Sequence, residues 1–170
     1  MWKSAAVSLV LLAGVTSATR ANDQALTNCT GADPNRVIAG CTELLARPFT
    51  ATARAELYNA RGKAYADKNQ FDRAIKDLNE AIRLNPMESE AHYNRGLVYQ
   101  SRGERDRAIA DYSEAIRLNP QNFDAYYNRG AAYEAENKLR NALADYRKSL
   151  EITPGASDAI AAIARIKKKI

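Results

Sequence analysis

The feature of this sequence that most restricts its fold is a repeat with a period of 34 residues. The stretch FDRAIKDLNEAIRLNP at 71–86 is nearly superimposable on RDRAIADYSEAIRLNP at 105–120, and LRNALADYRKSLEITP at 139–154 is a looser copy. Four columns keep the period: Gly62, Gly96 and Gly130; Tyr65, Tyr99 and Tyr133; Ala74, Ala108 and Ala142; and Pro86, Pro120 and Pro154. Self-similarity at a fixed period of this length predicts an array of stacked structural units.

Each unit predicts two helices joined by a short polar turn. In the first helix, the small Gly96 lets a neighbouring helix approach closely, and Tyr99 fills the space beside it. In the second, apolar residues follow helical spacing until Asn-Pro or Thr-Pro at 85–86, 119–120 and 153–154, because the residue before proline is driven out of the helical region. Strong helix formers are abundant and no alternating Val/Ile/Thr run occurs, so we expect an all-α chain without a sheet.

These columns resemble the tetratricopeptide repeat family, whose unit is a 34-residue helix-turn-helix with small, aromatic, alanine and proline columns. The resemblance covers about residues 55–156 and implies a right-handed α-solenoid of three repeats, at 55–88, 89–122 and 123–156. It is highly specific for the fold. It is poorly informative about function, because the family hosts scaffolds of many kinds.

The ends of a solenoid need caps because they would otherwise expose apolar faces. At the C-terminus, residues 157–170 predict a capping helix that runs to Lys169, with Ser157 as its N-cap. The apolar side of that helix is expected to consist of Ile160, Ile163, Ala164 and Ile170.

At the other end, residues 22–54 predict a degenerate helical hairpin. Asp33-Pro34 is a good helix start, and NRVIAGCTELL at 35–45 resembles DRAIKDLNEAI at 72–82. The first helix of this hairpin is expected to be short, at about residues 23–29.

Residues 1–21 have the order of a signal peptide: one positive charge, an apolar stretch from Ala5 to Val15, and then small residues. Cleavage after Ala18 and after Ala21 both fit, and the acidic and polar residues that follow favour the latter. A membrane anchor needs about 20 apolar residues, more than this stretch supplies. The chain is therefore identified as an exported, bacterial type of repeat protein, periplasmic or secreted, without a membrane span after the leader is removed.

The two cysteines, Cys29 and Cys41, lack the Cys-x-x-Cys spacing of a metal or redox site and have no second ligand pair nearby. In an oxidising compartment they most simply form one disulfide, which stabilises by about 3 kcal/mol and joins the two helices of the degenerate hairpin. Lipidation of Cys29 is the weaker alternative, because Asn28 is large for the position before a lipidated cysteine.

Two further columns carry opposite charges. The column before glycine is arginine in all three repeats, and an aspartate follows 16 residues later, in the pairs Arg61/Asp77, Arg95/Asp111 and Arg129/Asp145. We expect three ion pairs within the repeats. The sole histidine, His92, stands in an aromatic column, which favours a core role over a catalytic one.

A stack of such hairpins makes a concave face from its first helices, and the resemblance implies that extended peptides or partner helices bind there. An asparagine can bond both groups of a peptide backbone, and a tyrosine offers rigid amphipathic area. The alternative is that the repeated Tyr-Asn-Arg-Gly string is structural. The candidate partner-binding residues are Asn59, Lys63, Tyr93, Asn94, Leu97, Tyr127, Asn128 and Glu134.

One known site of the family is not expected here. Tetratricopeptide co-chaperones hold the C-terminal carboxylate of heat-shock chaperones with lysine, arginine and asparagine on these helices. Asn94 matches one asparagine, but Asn59 replaces a lysine, and Asp124 and Asn128 stand at the later basic positions.

The inventory for catalysis is small. There is one histidine, no phosphate loop and no cluster of metal-ligand residues, so no catalytic, cofactor or metal site is predicted. The net charge of +5 falls to +3 without Lys3 and Arg20, and a nucleic-acid partner is not expected outside the cytoplasm. A scaffold for a protein or peptide is the main hypothesis. A self-associating module or an accessory subunit of an envelope enzyme complex is the alternative, and the oligomeric state stays open.

Overall fold

The structure is a computed structural model that describes residues 17–170, with side chains from Asp23 onward. Nine α-helices and no strand are found over this range, and none of these helices is both long and apolar enough to cross a membrane. The helices are α1 Ser17–Cys29, α2 Pro34–Leu45, α3 Ala51–Asp67, α4 Phe71–Leu84, α5 Ser89–Ser101, α6 Arg105–Leu118, α7 Phe123–Ala135, α8 Leu139–Ile152 and α9 Ser157–Lys167. The all-α repeat fold is confirmed.

The three full repeats are the hairpins α3–α4, α5–α6 and α7–α8. Each closes through a residue with positive φ at the same column, namely Asn69 at 57°, Gly103 at 77° and Asn137 at 58°. Asparagine and glycine are the residues that adopt this conformation most readily. The three turns are therefore alike although their sequences differ.

The two helices of a hairpin approach closely at the glycine column. A Cβ atom on Gly96 would lie 2.7 Å from a ring carbon of Tyr112, which is fully buried. Ala108 of the same hairpin is also fully buried. Only a glycine permits this approach, as the repeat predicts.

The predicted arginine–aspartate pairs are present in all three repeats, and each joins two nitrogens to two oxygens. Their distances are 2.7 and 3.0 Å for Arg61–Asp77, 2.8 and 2.7 Å for Arg95–Asp111, and 2.8 and 2.8 Å for Arg129–Asp145. The remaining guanidinium nitrogen of each arginine donates to the preceding unit, to Thr42, Asn79 and Ser113 respectively. These arginines therefore connect neighbouring units as well as the helices of one repeat.

His92 is buried, with 8% of its surface exposed, beside the second of these pairs. Its Nε2 atom lies 3.3 Å from the carbonyl oxygen of Pro86, and its Nδ1 atom lies 3.7 Å from a carboxylate oxygen of Asp111. Burial alone would raise the pKa of Asp111, but the hydrogen bonds from Arg95, together with the proximity of His92, hold it below its ordinary value. The histidine thus has a core role.

The N-terminal hairpin consists of α1 and α2, joined by a disulfide between Cys29 and Cys41. Asp33 caps α2 by accepting from the backbone N–H groups of Asn35 and Arg36. The first helix is longer than expected, since α1 begins at Ser17 and contains no proline or glycine between Ser17 and Cys29. Most of the predicted signal peptide lies outside the described residues, and it stays a prediction.

The C-terminal helix α9 exists but is capped and rotated differently from the expectation. Gly155, with φ at 87°, ends the turn early, so Ala156 is the N-cap and Ser157 is already helical. The predicted apolar side is also wrong, because Ile160 and Ile170 are 48% and 68% exposed. The buried residues are Ala159, Ala162 and Ile166, with Ile163 half-buried and Ala164 exposed. Small alanines let α9 lie close against Leu143 and Tyr146 of α8.

Candidate functional site

Helices α3, α5 and α7 carry all eight candidate residues, and we call their shared surface the inner face. Hydrogen bonds join these helices across the repeats: the Asn94 amide donates to the Asn59 side-chain oxygen at 2.9 Å, and the Asn128 amide donates to the Tyr93 hydroxyl at 3.0 Å. Asn59 and Asn94 are 6% and 5% exposed. Their amides therefore hold repeats together, as the structural alternative for the Tyr-Asn-Arg-Gly string describes.

The tyrosines of the inner face remain half-buried. The Tyr93 ring lies 5.9 Å from that of Tyr112, and Tyr127 stacks on Phe123 at 6.1 Å. Burial, together with the charge of Asp124, raises the pKa of Tyr93 to about 12, so its hydroxyl stays protonated at neutral pH. Tyr93, Tyr127 and the half-buried Leu97 thus provide rigid amphipathic area on this surface.

Glu88 is an inner-face residue that the sequence reasoning missed. It immediately precedes α5, and one of its carboxylate oxygens accepts from the Asn59 amide at 3.3 Å. The other oxygen is buried and has no hydrogen-bond partner among the described residues. Burial, with the neighbouring charges of Glu90 and Glu56, raises the pKa of Glu88 to about 7.

Comparing equivalent positions of the repeats in the sequence could have identified Glu88 as unusual. The equivalent residue of the next repeat is Asn122, whose side chain caps α7 by accepting from the Ala125 N–H. Glu88 makes no such capping bond to α5. A glutamate at a capping column is unusual for a helix start, where shorter side chains are preferred.

Glu134, near the end of α7, already has partners within the chain. Arg165 of α9 donates two hydrogen bonds to it, at 2.8 and 2.7 Å, and Lys169 lies at 3.3 Å. The Tyr146 hydroxyl also donates to it. The hydrogen bonds from Arg165 lower the pKa of Glu134 to about 2. The capping helix therefore covers this candidate residue.

Lys63, the only cationic candidate, is exposed and lies 3.5 Å from Asp67. In contrast, four carboxylates of the inner face have no lysine or arginine partner among residues 23–170: Glu56, Glu88, Glu90 and Asp124. The open part of the inner face is thus negatively charged.

A cavity of about 590 Å³ lies away from the inner face, between α2, α3 and α4. Tyr65 and Ile38 supply its apolar wall, and Arg73 and Lys76 supply cations. None of the candidate residues lines it. Among the described residues, no group of three or more histidine, cysteine or carboxylate side chains is placed to hold a metal ion.

Comparisons with known proteins agree with this geometry. A family model described as TPR repeat matches residues 62–103 and 99–137, and one described as Tetratricopeptide repeat matches residues 123–155. Together they span more than half of the chain, which belongs to the tetratricopeptide repeat family.

Solved structures of similar fold include the Arabidopsis OM64 TPR domain, with 28% identity, a TM-score of 0.68, and coverage of 71% of this chain and 99% of that one. A crystal structure of MamA protein gives 27% identity and a TM-score of 0.74, with coverage of 88% and 80%. The first TPR of Spaghetti (RPAP3), bound to the HSP90 peptide SRMEEVD, has 27% sequence identity and a TM-score of 0.67. The match covers 69% of this chain and 94% of that one. No curated protein has a significantly similar sequence.

Proposed function

We propose that this chain is a non-catalytic scaffold that binds a peptide or protein segment on its inner face. The observation that carries the proposal is the open strip of half-buried Tyr93, Leu97 and Tyr127 beside carboxylates that have no basic partner in the described part of the chain. Aromatic and aliphatic side chains held rigidly on a surface are the anchors of peptide recognition. The RPAP3 domain of similar fold is bound to a peptide.

The proposed mode differs from capture of a C-terminal carboxylate. Asp124 and Asn128 occupy positions where the co-chaperone site needs cations, and Asn59 is committed to Asn94 and Glu88. An acidic peptide would meet unpaired carboxylates of like charge on this face. Peptides of the SRMEEVD kind are therefore not the expected ligands.

Two half-buried leucines provide a matched test of the inner face, because Leu97 lies on it and Leu118 ends α6. Peptides would be selected on the full chain from a random display library, and their affinities measured by calorimetry. Leu97→Ala should weaken binding by about tenfold, whereas Leu118→Ala should change it little. Equal affinities of selected peptides for both variants would exclude the inner face.

We further propose that the chain acts in the bacterial periplasm or is secreted. The leader-like residues 1–21 and the Cys29–Cys41 disulfide support this location, since disulfides persist in oxidising compartments. Mass spectrometry of the chain recovered after export should give an N-terminus just after Ala18 or Ala21. Recovery of the uncleaved chain from the cytoplasm would contradict the proposal.

Self-association through a solenoid end is a second candidate function, including the role of accessory subunit in an envelope complex. It is favoured by Ile160 and Ile170, which α9 leaves exposed at the C-terminal end. Size-exclusion chromatography with light scattering separates the two functions. A stable monomer at high concentration rejects self-association as the main role.

A further inference from the structure

We propose that the inner face selects a basic peptide segment, whose lysine or arginine side chains pair with Glu56, Glu88, Glu90 and Asp124. This inference rests on the proposed function and names the chemistry of its ligand. It follows from charge complementarity between the inner face and its occupant.

The carboxylates on the two layers of helices differ in their partners. The glutamates on the second helices are paired within the chain: Glu80 with Arg83 at 2.7 Å, Glu114 with Arg117 at 2.6 Å and Glu151 with Lys148 at 2.9 Å, while Asp106 is the one carboxylate of these helices without a partner among the described residues. The four inner-face carboxylates have no such partner in the described part of the chain. The helix dipole accounts for an acid in the first turn, as at Glu90 and Asp124. It does not account for Glu56, in mid-helix, or for the burial of Glu88.

Glu88 has one buried carboxylate oxygen without a hydrogen-bond donor among the described residues. Leaving a buried carboxylate oxygen without a donor is unfavourable, and the Asn59 amide satisfies only the other oxygen. The terminal torsion of glutamate is broad and roughly two-fold, so either oxygen can turn towards a ligand. A lysine or arginine of a partner would supply the missing donor and also offset the repulsion from Glu56 and Glu90.

The chain already provides an internal example of such a ligand. Where the C-terminal segment reaches the inner face, it presents two cations: Arg165 of α9 and Lys169, just beyond the helix, both pair with Glu134. The same surface therefore binds basic side chains through its carboxylates wherever the fold supplies them. Towards the N-terminal end of the inner face, residues 23–170 supply none to Glu56, Glu88 and Glu90.

The tyrosines of the chain also differ in whether a cation lies over the ring. Five of them have a guanidinium or ammonium group over the ring within about 6 Å: Tyr58, Tyr65, Tyr99, Tyr126 and Tyr133. Tyr93 and Tyr127 have no such cation from the described residues. A basic side chain of a partner lying beside Asp124 would reach these rings as well as the carboxylate.

The experiment compares peptides and charge variants on the full chain. Two peptides of equal length and aromatic content would be used, one with lysine and arginine and one with glutamate and aspartate at the same positions. Glu90→Gln/Asp124→Asn removes two inner-face charges, and Glu80→Gln/Glu114→Gln removes two from the second helices. The basic peptide should bind, lose about tenfold in affinity with the inner variant, and lose little with the outer variant.

Each outcome is decisive for one of the two proposals. Preference for the acidic peptide, or equal losses with both variants, would overturn the basic-ligand inference. If library selection yields neutral peptides whose affinity depends on Leu97, the inner face binds peptides, and only the inference of a basic ligand fails. If no selected peptide depends on Leu97 or on the inner carboxylates, the proposed function fails as well.

Discussion

The first and second helices of this solenoid use their charged side chains differently. On the second helices, α4, α6 and α8, each repeat places a buried aspartate against an arginine, and the exposed glutamates pair with cations on the next turn. On the first helices, α3, α5 and α7, amides join neighbouring repeats, while several carboxylates have no ion-pair partner within residues 23–170. The glutamates of the second helices are paired within the fold, whereas four carboxylates of the inner face have no basic partner among the described residues.

The largest effect is expected from breaking the charge arrangement of the second helices. Asp111→Ala leaves Arg95 without its partner in a partly buried site, and we expect a loss of about 3 kcal/mol in the free energy of unfolding. Glu114→Ala, on the same helix, removes only an exposed pair and should cost no more than about 0.5 kcal/mol. Urea denaturation followed by circular dichroism measures both. Equal costs would mean that the buried pair contributes no more than a surface one.

The next effect tests the contact between the two layers. Alanine at position 96 gains about 1 kcal/mol in helix propensity, but its Cβ would lie 2.7 Å from the Tyr112 ring. Since Tyr112 is fully buried and donates to Gln100, the ring cannot move freely, and Gly96→Ala should destabilise by about 1–2 kcal/mol net. Thermal unfolding shows whether Gly96→Ala raises or lowers the stability of the chain. A stabilised variant would show that the helices can separate slightly without cost.

A smaller loss is expected from the polar contacts between first helices. Asn94→Ala leaves the Asn59 oxygen without its donor in a buried position, so we expect a cost of about 1 kcal/mol. Asn128→Ala is the matched control, because Asn128 is half-buried and bonds only the Tyr93 hydroxyl. It should cost less. If Asn94→Ala is neutral, the asparagine is not structural and becomes a candidate for direct contact with a partner.

Much of this architecture could be predicted because it recurs. The arginine and aspartate columns repeat three times, so their pairing followed from spacing alone, and the glycine column likewise predicted the close approach of helices. Features that occur only once could not be predicted from the recurrence of a column. Glu88 lies in a connection, and its burial depends on Asn59 of the preceding repeat.

The terminal helix illustrates the same limit. Its apolar residues allow more than one rotation, and the choice is made by the fit of Ala159 and Ala162 against α8 and by the pairing of Arg165 with Glu134. The role of Asn94 was open for a related reason, because an amide that suits a peptide backbone also suits another amide. Only the three-dimensional position of Asn59 decides between a role in binding a peptide and a role in joining the repeats.

The pH dependence should separate two glutamates of the inner face. The pKa of Glu88 is raised from 4.5 to about 7, so the folded chain holds its proton more tightly, and stability falls as the pH rises through that window. The pKa of Glu134 is lowered from 4.5 to about 2. Its contribution to the free energy of unfolding is therefore complete above pH 4.5 and is lost as the pH falls towards 2. Glu56 and Glu90 are the charged groups that act on Glu88. Unfolding of Glu88→Gln across pH 4.5 to 7 should lack the decline; an unchanged profile would exclude Glu88 as its source.

The smallest change in stability, and the sharpest test of the layer comparison, concerns the cap. Arg165→Ala/Lys169→Ala removes two half-exposed cations and should cost only about 0.5–1 kcal/mol, since α9 keeps its buried Ala159, Ala162 and Ile166. It also frees Glu134, which extends the unpaired carboxylates along α7. If those carboxylates recruit basic ligands, the double variant should bind the basic peptide several-fold more tightly than the unmodified chain at low salt, and the gain should vanish at high salt.

Lys167→Ala/Lys168→Ala removes the same charge from α9 and its C-terminal end at residues without an ion pair among those described. It is the control for a general change in net charge. A gain shared by both double variants would show that long-range attraction, and not the exposed Glu134, is responsible.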